Sequence, residues 1–172
     1  MSPLLPEHPI GHDYINEGHA NAKKLLTNDF FWDPGDDYSP IGGDTGSDAL
    51  AEFWEWRGSN PTSSVMSFLE QLIEEFGVGT ALEFVANGNP EVAIGEHHLK
   101  ANVFDELVIA VAFAQFMKDG SVEKNVHRLA LRAVNRQSNA SVIQYRSAEP
   151  SEQERHLVMI SQALDQMDVY LL

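Results

Sequence analysis

From Leu99 to Met117 the chain is apolar nearly all the way round: Val103, Phe104, Leu107, Val108, Ile109, Val111, Phe113 and Phe116 leave little room for a wet face. Such a segment predicts a helix in the middle of a bundle, stopped by Asp119-Gly120. A buried strand over 107–113 is the competing reading, and length favours the helix. The flanking segments carry one-sided stripes instead. Ile15, Ala22, Leu25 and Leu26 predict a short helix over about 14–27. Ala49, Leu50, Phe53, Trp54 and Trp56 predict a helix through Arg57, with Thr45 and Asp48 as a capping-box-like entrance and Gly58 as the stop. Asn60 and Pro61 read as the cap and first position of the next helix. Its stripe is Val65, Met66, Phe68, Leu69, Leu72, Ile73 and Phe76, with Glu70, Glu74 and Glu75 on the wet side and Gly77 and Gly79 closing it.

Further along, TALEFVA at 80–86 suits a short helix, and NGNPEVAIGEHH reads as a loop with VAI as a brief extended piece. Ser121 opens a helix to about Gln137, with Val122, Val126, Leu129, Ala133 and Val134 inward. SNASVIQYRS fits a short helix or a strand. The last helix opens near Pro150, with Ser151 and Glu154 as a capping box and Leu157, Val158, Ile160, Ala163, Leu164 and Met167 as its stripe. Residues 1–13 hold three prolines and no periodicity, and read as a loose arm. The expected architecture is mainly α: one domain over residues 1–172, a bundle of six or seven helices, an Asp/Gly/Pro-rich loop at 28–45, and small β content at most.

Composition narrows the function classes. The chain has no cysteine, which removes disulfide scaffolds, thiolate metal sites and a cysteine nucleophile. Its longest apolar run, LVIAVAFA at 107–114, falls well short of the roughly 20 residues that span a bilayer. The start, MSPLLPEHPIGHD, lacks the basic and apolar regions of a signal peptide, so a cytoplasmic location is expected. The net charge is −15. That disfavours nucleic acid and anionic membranes as partners and favours a basic protein, whose approach it would steer. The charge is also uneven. Fourteen acids lie between Asp29 and Glu96 with Arg57 as the only base among them. Lys118, Lys124, Arg128, Arg132, Arg136 and Arg146 then face only Asp119 and Glu123 in the segment they bound. Lys124, Arg128, Arg132 and Arg136 recur every four residues, a drifting basic stripe that would face solvent or pair with the acidic half.

The stretch DFFWDPGDDYSPIGGDTGSD, residues 29 to 48, concentrates six aspartates among aromatics, glycines and prolines. It departs from the EF-hand spacing, yet carboxylates and carbonyls are the natural ligands of a hard cation, so a divalent-metal-dependent hydrolase using this loop is one reading. Turn chemistry and helix entry explain the same residues without a ligand. Phe30, Phe31, Trp32 and Tyr38 could anchor a core or an interface. His97 and His98 follow Glu96, and His8 and His12 are four apart across Pro9 and Gly11; neither matches a helical zinc site. No nucleophile elbow, phosphate loop or dinucleotide fingerprint occurs. Asp105 and Glu106 are acid candidates if buried, but read as facing water or the positive end of their helix.

AKKLLTNDFFWDPGDDYSPIGGDTGSDALAEFWEWR, residues 22–57, resembles the start of the uncharacterised bacterial YfeS-type proteins, through F-F-W-D-P and the acidic, glycine-bearing stretch before a helix. DELVIAVAFAQF extends the likeness loosely. The resemblance implies a bacterial origin and a structural role for Phe30, Phe31, Trp32, Asp33 and Pro34; it brings no catalytic residues with it. The function expected from the residues is a non-enzymatic acidic interaction module, of the immunity type that blocks a basic nuclease-like toxin. Its expected contact residues are Trp32, Asp33, Asp36, Asp37, Tyr38, Asp44, Asp48, Glu52 and Glu55, with no catalytic residue, metal or cofactor assigned.

Overall fold

The chain is built around the helix that is apolar on all sides. The computed structural model describes residues 13–79 and 89–172. Among them are eight α-helices: α1 Tyr14–Glu17, α2 Ala20–Leu25, α3 Gly43–Ser59, α4 Val65–Glu75, α5 His98–Asp119, α6 Lys124–Gln137, α7 Ala140–Arg146 and α8 Pro150–Gln166. Short 3-10 turns lie at Asp29–Trp32, Pro90–Ala93 and Met167–Tyr170. α5 is the central rod of a mainly α, single-domain bundle. Every residue from Leu107 to Met117 is buried, with α2, α3, α4 and α6 laid around it. Burial on every side is why no polar stripe interrupts it, and the strand reading of 107–113 falls away. The β content is one isolated parallel bridge among the described residues, Val122 to Leu171, which ties the C-terminus to the α5–α6 connection.

The bundle has more helices than expected, for identifiable reasons. The single helix expected over 14–27 breaks at Gly18, whose backbone is extended and lies against the Trp32 ring. His19 then starts α2: its backbone N–H donates to the Met117 carbonyl at 2.7 Å, and its ring Nδ1 accepts from Asn21 N at 3.0 Å. SNASVIQYRS resolves as helix α7, capped by Asn139, whose side-chain oxygen accepts from Ser141 N. VAI of 92–94 belongs to a 3-10 turn and its exit, not to an extended piece. The expected arm and the expected helix at 80–86 fall outside the described residues, apart from Asp13, the cap of α1.

Four helix entrances differ from the local pattern, and at α4 a tertiary partner takes over the capping. α3 begins at Gly43, so Thr45 and Asp48 lie inside it and form no cap; Gly42 is the cap residue. α4 begins at Val65 rather than Pro61. The Arg57 guanidinium donates to the carbonyls of Asn60 and Ser63 at 3.1 and 2.7 Å, which holds those peptides out of the helix. Asn60 instead closes α3, donating from its side chain to the Trp56 carbonyl at 2.9 Å. Pro150 takes the first position of α8, as such a residue should, and Glu149 rather than Ser151 caps it without a side-chain bond. α6 likewise starts at Lys124, three residues after the expected Ser121, with Glu123 at the cap position.

Glu123 also serves a second helix. Its carboxylate accepts from Val65 N at 2.5 Å, Met66 N at 3.1 Å and Ser64 Oγ at 3.2 Å, capping α4 across the fold. A carboxylate on free N–H groups at a positive helix end is a charge-assisted arrangement. Glu123→Ala is therefore expected to destabilise the protein by about 1–2 kcal/mol, read by urea unfolding. Gly120 shows a similar tertiary constraint. Its φ of 70° closes α5 in the left-handed region, and a Cβ there would stand 2.1 Å from the His19 ring.

Candidate functional site

The aspartate loop is a series of tight turns pinned by aromatics. Asn28 caps the Asp29–Trp32 turn, accepting from Phe30 N at 3.0 Å. This 3-10 turn buries three successive rings. Phe31 stacks on Phe113 of α5 with centroids 5.9 Å apart, and Phe30 lies 5.0 Å from the His156 ring of α8. Trp32 is 7 % exposed and donates from Nε1 to the Leu26 carbonyl at 2.8 Å. It belongs to the core and is withdrawn from the expected contact surface. A ring that large, with its N–H satisfied internally, is held by burial.

Beyond Trp32, Asp33 Oδ1 accepts from Gly35 N and Asp36 Oδ1 from Tyr38 N, both at 2.9 Å. The Asp36, Ser39 and Gly42 amides donate back to the carbonyls three residues before them. The two carboxylates thus fold the loop through side-chain turns. Gly42 is required by close approach, since a Cβ would fall 1.8 Å from the Asp36 carbonyl oxygen. Tyr38 leaves the loop sideways. It stacks on His156, centroids 4.6 Å apart and nearly parallel, and donates its hydroxyl to Glu149 at 3.0 Å. That bond, some burial and the charges of Glu149, Glu152 and Asp36 push its phenol up from the ordinary value.

α3 turns Asp44, Asp48, Glu52 and Glu55 to solvent, and α4 does the same with Glu70, Glu74 and Glu75. Phe53 and Trp56 of α3 meet Phe68 of α4 at 5.6 and 4.7 Å between centroids, so the two helices lie side by side. Their acidic faces adjoin. Partial burial, then the charges of Glu75 and Asp48, push the Glu52 carboxyl up. Among the described residues, none of these seven acids, nor Asp33, Asp36 or Asp37, takes part in an ion pair. Arg57, the one base between Asp29 and Glu96, is held by Asp119 at 2.7 Å. No three carboxylates or imidazoles among the described residues converge as a metal would require.

A different polar group lies inside the bundle. Asp105 is 0 % exposed and Arg136 2 %. They pair in bidentate fashion, Nε to Oδ2 at 2.9 Å and Nη2 to Oδ1 at 2.7 Å. Gln137 Nε2 donates to Asp105 Oδ2 at 2.6 Å and to Asn102 Oδ1 at 3.0 Å. Burial pushes the Asp105 carboxyl up, while Arg136, Gln137 and Arg146 draw it back. This corrects the sequence reading of Asp105. α5 starts at His98, so Asp105 is in the third turn, beyond the dipole's reach. It also corrects the stripe, since Arg136 points into the bundle. Glu106 does reach solvent and binds Arg146 of α7 at 2.9 Å; Arg146 donates to Gln137 as well.

This network meets the surface at a cavity of about 370 Å³. Ile109, Val142, Ile143, Leu157 and Ile160 give it an apolar floor, and Gln137, Glu106 and Arg146 give it one wall. More of the lining comes from the aspartate loop and the entrance of α3, including Asp37, Tyr38 and Asp44. Of the expected contact residues, these three share one recess, and Asp48, Glu52 and Glu55 continue outward along α3. Gln137, Glu106 and Arg146 were not among the expected residues. They come from three helices and become neighbours only by packing. Comparison with family models, with curated proteins and with solved structures finds no match to this chain. Among the described residues no helix is long and apolar enough to cross a membrane.

Proposed function

We propose that the chain is a non-enzymatic acidic interaction module that binds a basic protein, in the manner of an immunity protein occupying the nucleic-acid site of a basic nuclease-like toxin. The observation that supports it is the exposed acidic face of α3 and the neighbouring face of α4, free of ion pairs among the described residues. Uncompensated charge of one sign costs self-repulsion and is useful when a partner of opposite sign approaches. A nuclease must be basic where it grips phosphate, so its active surface suits such a field. The likeness of residues 22–57 to YfeS-type proteins belongs to the same proposal. On this reading Phe30, Phe31 and Trp32 support the loop, and Asp33, Asp36, Asp37, Tyr38, Asp44, Asp48, Glu52 and Glu55 meet the partner.

The test is stopped-flow association with a panel of purified basic nucleases, together with their residual activity. The expected association rate falls steeply between about 0.02 and 0.5 M NaCl. The combined variant Asp44→Asn, Asp48→Asn, Glu52→Gln, Glu55→Gln is expected to associate at least about tenfold more slowly, with its melting temperature kept or raised. Rates that ignore both salt and the four substitutions remove the proposal.

A further inference from the structure

We infer that the cavity between the aspartate loop and α5, α7 and α8 is the seat for one lysine or arginine side chain of the basic partner. This deepens the proposed function and rests on it for the identity of the occupant. The cavity has the two parts a long cationic side chain needs. Its floor is aliphatic, made by Ile109, Val142, Ile143, Leu157 and Ile160, and matches a methylene stem. Its lining also includes Asp37 and Asp44, which match a charged head.

The competing occupant is an anion, attracted by Arg146 and by the entrance of α3. Both attractions are already answered within the chain. Arg146 is engaged by the Glu106 carboxylate and the Gln137 side-chain oxygen. Asp44, in the first turn of α3, supplies the negative charge that the helix end favours. With Arg146 matched by Glu106, the charge left over in the lining is that of Asp37 and Asp44, and neither makes an ion pair among the described residues. The contact between Arg146 and the Glu106–Gln137 wall also shows that this lining already accommodates a guanidinium. Asp48 stands one turn after the lining residue Asp44 on α3, so an inserted side chain and a docked basic surface are compatible.

The probe is agmatine, an aliphatic guanidinium, titrated into the full chain and followed by the methyl resonances of Ile109, Val142, Ile143, Leu157 and Ile160. So small a cation is expected to bind in the millimolar range. Its shifts should be confined to the cavity and be abolished by about 0.5 M NaCl. Asp37→Asn with Asp44→Asn should weaken it about tenfold. Gln153 of α8 also lines the cavity, and Gln153→Arg, which offers it a cation of the chain's own, should suppress binding while the remaining methyl spectrum stays native. Absence of cavity shifts at about 20 mM agmatine overturns the seat, as does equal or stronger response to hexanoate or inorganic phosphate. If a basic nuclease still associates in either case, the module stands without the seat. If agmatine enters but no basic protein associates, the partner side chain is overturned as the occupant.

Discussion

Arg136→Met should destabilise the protein by about 3–5 kcal/mol in urea unfolding at neutral pH. The substitution leaves Asp105, which has no exposed surface, ionised without its bidentate partner. A loss of that size is a large part of a margin that is about 5–15 kcal/mol for most domains. Two further measurements separate charge from packing. Adding Asp105→Leu to Arg136→Met should recover most of the loss, because an apolar pair of similar volume removes the stranded charge. The deficit of the single variant should also shrink on acidification. Burial already holds the Asp105 carboxyl above its ordinary value, and removing Arg136 takes away the strongest influence drawing it down. A carboxyl raised in the folded state binds its proton more tightly there than in the unfolded chain. Stability of the variant relative to the parent therefore rises as pH falls from the variant's value to the parent's own lower one, below which both carboxyls carry the proton. A deficit that is constant with pH, or that persists in the double variant, would show that the volume of Arg136 matters and its charge does not.

Trp32→Ala should cost about 3–5 kcal/mol, the range for deleting a large buried aromatic ring. The ring rests on Gly18 and donates to the Leu26 carbonyl, so it joins the α1–α2 break to the loop. Trp32→Phe should recover a large share of the loss. It keeps most of the apolar area but leaves the Leu26 carbonyl without this donor. Neither substitution should change salt-dependent association with a basic nuclease once the protein is folded, because Trp32 is buried. Selective loss of binding by a well-folded Trp32→Phe variant would return that residue to the contact surface.

Much of the fold is legible along the chain. α5 is announced by apolar residues on every side over more than five turns, a pattern that an exposed helix does not carry. Ser or Pro entrances and Gly120 approximate the ends of α6, α8 and α5, because those signals act on the nearest turn of backbone. The aspartate loop was readable as turn chemistry too, since an Asp side chain reaches its own backbone two residues on, as Asp33 and Asp36 do. The inward turn of Arg136 also had a faint signal. A repeat of four residues drifts by about 40° per step on a helix, so Arg136 stands about 120° around from Lys124. That places it away from the face that Lys124 gives to water.

The residues themselves therefore determined an α bundle with α5 at its centre, a turn-rich aspartate loop and an excess of negative charge in the first half, all of which depend on composition or on spacing within a few turns. Tertiary structure alone decided the rest. It chose Glu123 over Asn60 as the cap of α4, sent Trp32 to the core, paired Asp105 with Arg136 and brought Asp37, Asp44, Glu106 and Arg146 around one cavity. Each of these depends on how one helix is rotated and placed against another, and that placement minimises exposed apolar area and unpaired buried charge over the whole molecule, quantities no short stretch of chain contains.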